Sequence, residues 1–102
     1  DLPWVRAVEA TCLARLARAT EARAILAELE HRRGSEYCDA LYMAVLRESL
    51  GERDDALDEL ERALDENSAF LHSLDVDPKM RPFRRERRFE RVRGALHLRW
   101  SA

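Results

Sequence analysis

Glycine, proline, cysteine and histidine are scarce in this chain, with three, three, two and three copies among 102 residues. A phosphate-cradling loop needs glycines close together, because backbone amides can close on an anion only where side chains are absent. Gly34, Gly51 and Gly94 stand far apart, so no loop of that kind is present. Cys12 and Cys38 each lie among apolar residues of a helical pattern, which predicts two small buried thiols in preference to a disulfide or a redox pair. His31, His72 and His97 are far apart, and none has another histidine or a cysteine at helical ligand spacing, so no metal site and no cofactor are expected. Long apolar runs are also missing. A membrane span takes roughly 20 such residues, and there is no charged-then-apolar leader of the secretory kind. The expectation is a cytoplasmic chain without a membrane segment. It begins at Asp1 and not at a methionine, which suggests a piece of a longer protein.

Charge and apolar bulk are plentiful instead. Charged residues make up 37% and hydrophobic ones 46%, a composition of helix-rich proteins with a modest core. The net charge of −2 is unevenly spread: nine Lys/Arg face only Glu86 and Glu90 between Lys79 and Arg99, so a basic tail is joined to an acidic body.

The body repeats itself. Sliding the chain along itself until Ala10 falls on Ala44 also places Leu16 on Leu50, Glu21 on Asp55, Ala22 on Ala56 and Leu26 on Leu60. Small residues recur where two helices must approach closely, so the alanines are the informative matches. Local signals divide each unit into two helices. Pro3 suits a first helical position, and Val5, Val8, Cys12 and Leu16 follow at helical spacing. Thr20 can cap a second helix that carries Ile25, Leu26 and Leu29 and ends at Arg32, Arg33 and Gly34. Ser35 can cap a third through Leu41 and Leu46 that stops near Gly51. Asp54 and Asp55 then favour the first turn of a fourth, up to about Glu66, laid back along the third. Pairs such as Asp58 with Arg62 would keep its outer face wet.

On these residues the second unit resembles a tetratricopeptide repeat, a pair of antiparallel helices in a unit of about 34 residues. Counting from Tyr37, Ala44 falls at the family's small eighth position, Gly51 at the turn, Ala56 at the twentieth, Leu60 at the twenty-fourth and Ala63 at the twenty-seventh. Arg47 and Ser68 depart from the tyrosine and proline the family prefers. The first unit, about 3–36, keeps Ala10, Leu13, Ala22 and Leu26 but has Ala17 at the turn, and reads as a degenerate repeat. The resemblance implies an all-α fold: antiparallel helical hairpins stacked as a short right-handed solenoid over 1–67, closed by a C-terminal capping segment over 68–102.

In that segment the short amphipathic stretch from Ser68 to Leu74 precedes Pro78 and Pro82, which discourage a continuous helix. A last helix from about Glu86 to Arg99 would place Phe89, Val92, Leu96 and Trp100 on one face. Asp77, Pro78, Pro82, Arg84, Arg88 and Phe89 are similar to the closing segment of many bacterial tetratricopeptide-repeat proteins, which covers the exposed end of the last repeat. The resemblance therefore points to the C-terminal part of a bacterial regulatory or signalling protein.

No converging nucleophile, base or metal set is visible, so an enzyme is not expected. Two surfaces are candidates for binding. The family lines a concave groove with the second, fifth, ninth and twelfth positions of each unit. Carried over, these are Cys38, Leu41, Val45 and Glu48 in the second unit, and Trp4, Ala7, Thr11 and Ala14 in the first. Leu41 and Val45 replace the lysine and asparagine of the family's carboxylate-clamp members. What remains is an apolar groove suited to a partner helix, to a second copy of the chain, or to the tail itself. The alternative is a basic patch of Arg81, Arg84, Arg85, Arg87, Arg88 and Arg91, which with Phe83 and Phe89 could hold nucleic acid.

Overall fold

The computed structural model describes residues 2–68, 71 and 74–101, the last two of these by their backbone only. The described residues are helical and contain no strand. Helix α1 is Pro3–Arg15, α2 Ala19–Arg32, α3 Ala40–Ser49 and α4 Arg53–Asp65, followed by a 3-10 helix over Pro78–Phe83 and by α5, Arg87–Ser101. The shortest dimension is 20 Å, room for two layers of helices each about 10 Å across.

The turns explain the two short connections. After α1, the Arg18 N–H reaches back to the Leu13 carbonyl at 2.9 Å and the Ala17 N–H to Ala14. After α3, the Glu52 N–H reaches Arg47 at 2.9 Å and the Gly51 N–H reaches Glu48. Both are Schellman turns, in which the residue just past the helix end is left-handed. Gly51 takes that place at φ 82° and Ala17 at φ 62°. Each of these turn bonds in the first unit has its counterpart at the matching position of the second, so at this turn the sequence repeat is also a backbone repeat.

Helix α1 packs along α2, α3 along α4, and α1 along α3. Ala10, Ala22, Ala44, Ala56 and Ala63 are fully buried, as close helix contact requires. One cluster joins Ala7, Ala10, Ile25, Leu26 and Leu29 to Met43 and Leu46. The other sets Leu41, Val45, Leu57 and Leu60 against Leu71, Leu74, Met80, Phe83, Phe89, Val92 and Leu96 of the tail. The Phe83 and Phe89 rings are stacked with centroids 6.5 Å apart. The two prolines have the expected effect, confining their segment to a six-residue 3-10 helix opened by the Asp77 side chain.

Several local expectations are corrected. Thr20 does not cap α2: the short connection leaves Arg18 in the cap position with no side-chain cap, and the helix has begun by Ala19. Ser35 does not cap α3 either, because its own N–H and that of Glu36 still bond to Arg32 at the end of α2. The cap is Asp39, whose backbone is extended and whose carboxylate accepts from the Leu41 N–H at 2.9 Å. Arg62 pairs with Glu66, and Asp58 with Arg88. On α1 the periodic residues mark the helix but not its buried face: Val5, Val8, Cys12 and Leu16 are exposed, and Ala7, Ala10 and Thr11 are buried. Cys12 is thus an exposed thiol, whereas Cys38 is buried, its Sγ 3.6 Å from the Leu29 carbonyl. Ala69, Phe70, His72 and Ser73 of the amphipathic stretch, and the Trp100 side chain, lie outside the described residues.

Candidate functional site

Most of the side chains assigned to the groove are covered. Leu41 and Val45 are 1% and 5% exposed, because Leu74, Met80 and Phe83 of the tail fold over them. Cys38, Ala7 and Thr11 are buried, the Thr11 hydroxyl donating to the Ala7 carbonyl, and Ala14 is half-buried. Glu48 is half-buried and faces Arg53. Trp4 stays 40% exposed, its ring centroid 5.5 Å from that of Tyr42.

The tail stops short of the α1 side of this face and leaves a cleft of about 180 Å³. Val8, Thr11, Cys12 and Arg15 of α1 form one wall, Tyr42 and Val45 of α3 the other, and Lys79 closes it. The Lys79 ammonium lies 5.4 Å from the Tyr42 ring centroid and 2.8 Å from the Asp77 carboxylate. Small-molecule pockets occupy roughly 300–1,000 Å³, so this cleft suits a side chain or two of a partner. Thr11 and Val45 were legible from the repeat positions. Val8 and Tyr42 were not, although they hold matching places in the two units. Lys79 joins the site only by tertiary folding.

The basic segment is divided. Arg88 binds Glu61 at 2.7 Å as well as Asp58, and holds the Glu61 carboxyl below its ordinary range. Arg93 pairs with Asp75 at 2.5 Å, and hydrogen bonds from His97 and Arg93 keep the Asp75 carboxyl low. Arg84 donates to the Asp75 carbonyl. Arg81, Arg85, Arg87 and Arg91 have no ion-pair partner among the described residues, and the last three line a shallow concavity of about 550 Å³ beside Glu90. Phe83 and Phe89 are 0% and 2% exposed, so neither ring presents a face on which a base could stack.

A polar lock, buried at Asp39 and Ser68 and exposed at Tyr37, ties the end of α4 to the start of α3. The Ser68 hydroxyl donates to Asp39 at 2.8 Å and the Tyr37 hydroxyl at 3.1 Å. Partial desolvation of its hydroxyl end, then the Asp39 charge, pushes the Tyr37 phenol up to about 12, although most of the ring is exposed. No group of three His, Cys, Asp or Glu side chains suited to a metal occurs among the described residues, and none of their helices is long and apolar enough to cross a membrane. No protein-family model matches the chain, and comparison with curated proteins and with solved structures found no similar one.

Proposed function

We propose that the chain is a protein–protein interaction module of the tetratricopeptide-repeat type. In this reading two hairpins stack as a short right-handed solenoid, and the tail caps its far end. The module would serve as a scaffold in a larger bacterial regulatory or signalling protein. The recurrence of one Schellman turn at matching positions of the two units, and the contact between α1 and α3, support the stacking.

One observation carries the docking role: the apolar cleft between α1 and α3 that the tail leaves open beside Trp4. Its size and lining suit the apolar edge of a helix laid in a groove. The tail's cover over Leu41 and Val45 narrows the surface from the whole concave face to its α1 edge.

Panning a library of amphipathic helical peptides against the full chain tests the reading. Peptides should be retained by the native chain and lost with Val8→Asp. Val8 is 39% exposed, so the substitution leaves the fold intact, as circular dichroism can verify. Failure to select any peptide sensitive to Val8→Asp would overturn the proposal.

A further inference from the structure

We infer that the cleft receives a partner helix bearing a carboxylate one turn away from the apolar side chain it inserts. The inference rests on the docking reading just given and names the partner's chemistry.

The argument comes from the charges of the first helix pair. Arg6 has Glu28 at 2.6 Å, Arg18 has Glu21 at 2.7 Å, and Arg23 has Glu52 at 2.5 Å. Arg32 has Glu36 at 3.0 Å and Arg33 has Glu59 at 2.8 Å. Arg15 alone has no carboxylate among the described residues, and it is the arginine that lines the cleft. The other cation there, Lys79, is already matched by Asp77. No acidic side chain among the described residues lines the cleft, so its apolar floor carries one positive charge that none of them compensates.

In water an exposed guanidinium needs no partner. Once a docked helix displaces that water, an unpaired guanidinium at the contact is penalised, and a carboxylate supplied by the partner removes the penalty. A lysine at the same place adds like-charge repulsion, so Arg15 selects against basic helices as well as for acidic ones. The spacing follows from helix geometry. Arg15 lies one turn beyond Thr11 and Cys12, about 5 Å along α1, so the matching carboxylate lies three or four residues from the partner's anchoring side chain.

The test compares peptides selected on the native chain with those selected on Arg15→Glu. Native selections should carry Asp or Glu three or four residues from the apolar anchor, and selections on Arg15→Glu should carry Lys or Arg there. An acidic peptide chosen on the native chain should lose at least tenfold in affinity for Arg15→Glu, read by fluorescence anisotropy. Arg85→Glu removes another unpaired exposed arginine, just before α5 and outside the cleft lining, and should leave the affinity unchanged. If Val8-dependent peptides appear without an acidic preference, or bind Arg15→Glu as tightly, the inference falls and the docking reading stands. If Arg85→Glu weakens binding as much as Arg15→Glu, the effect is net charge and the inference falls as well. If no Val8-dependent peptide appears, both fall.

Discussion

Helices α1 and α3 hold equivalent places in the two units and end in the same turn, yet their surroundings differ. In α3 the residues Ala40, Leu41, Met43, Ala44, Val45 and Leu46 are buried, while in α1 only Ala7, Ala10 and Thr11 are. The cause is neighbours. α3 is enclosed by the first helix pair, by α4 and by the tail, whereas α1 packs chiefly on α2 and α3. Equivalent sequence positions therefore become core in one helix and surface in the other: Leu46 is buried, and its counterpart Cys12 is exposed. Function, on the reading proposed, lives in the helix that the fold leaves half-covered.

The largest expected effect comes from removing what encloses α3. Phe83 is fully buried against the α3 and α4 residues, so Phe83→Ala should cost about 3–5 kcal/mol through lost contacts and the cavity left behind. Val8 belongs to the open side of α1, and Val8→Ala should change stability by less than about 0.5 kcal/mol. Urea unfolding of both variants checks the contrast. Comparable losses would show that the first pair's exposed face is part of the core after all.

A second contrast uses the repeated turn. Beyond Gly51 itself and its two chain neighbours, no atom of the described residues lies within 4 Å of a Cβ built there, so Gly51→Ala meets only backbone strain at φ 82°. The left-handed conformation costs a non-glycine residue about 1 kcal/mol or somewhat more. Ala17 already bears that strain at φ 62°. Ala17→Gly should therefore stabilise by about 0.5 kcal/mol, the relief exceeding the added freedom of the unfolded chain. Thermal melts should move in opposite directions, down by roughly 5 °C for Gly51→Ala and up by less for Ala17→Gly. Equal signs would mean that the two turns are not the same device.

The turns and helix centres were legible because they depend on near neighbours: alanine spacing, a glycine at one turn, prolines in the tail. The starts of α2 and α3 were not, since a cap is decided by competition among nearby polar residues. Asp39 wins at α3 with the help of Ser68, which is 29 residues away along the chain. The buried face of α1 was misjudged for a related reason: Val5, Val8 and Cys12 look like core, yet the tail does not extend over them and they stay exposed. Of the residues that the resemblance places in a groove, Thr11 and Val45 line the cleft and Trp4 stands beside Tyr42. The cover on Leu41 comes from a separate segment, and so does the closure of the cleft by Lys79, so no local pattern could reveal either.

The smallest expected effect concerns the join between the two helix pairs, which is apolar where α1 meets α3 and polar along α2. There Arg23 reaches Glu52 at 2.5 Å and Arg47 reaches both Glu30 and Glu52. The hydrogen bond from Arg23, with help from Arg47 and against partial burial, holds the Glu52 carboxyl below its ordinary value of 4.5. A depressed carboxylate means that the unfolded chain binds more protons in acid. Its contribution is therefore complete above pH 4.5 and is lost as the pH falls through the lower folded value. Arg23 is half-exposed, so Arg23→Gln should cost only about 0.5 kcal/mol at pH 7. The gap between native and variant unfolding curves should close progressively below pH 4.5, whereas the deficit of Phe83→Ala, which has no titrating partner, should persist there. A gap that stayed constant into acid would assign the join along α2 to the arginine's aliphatic stem instead of its charge.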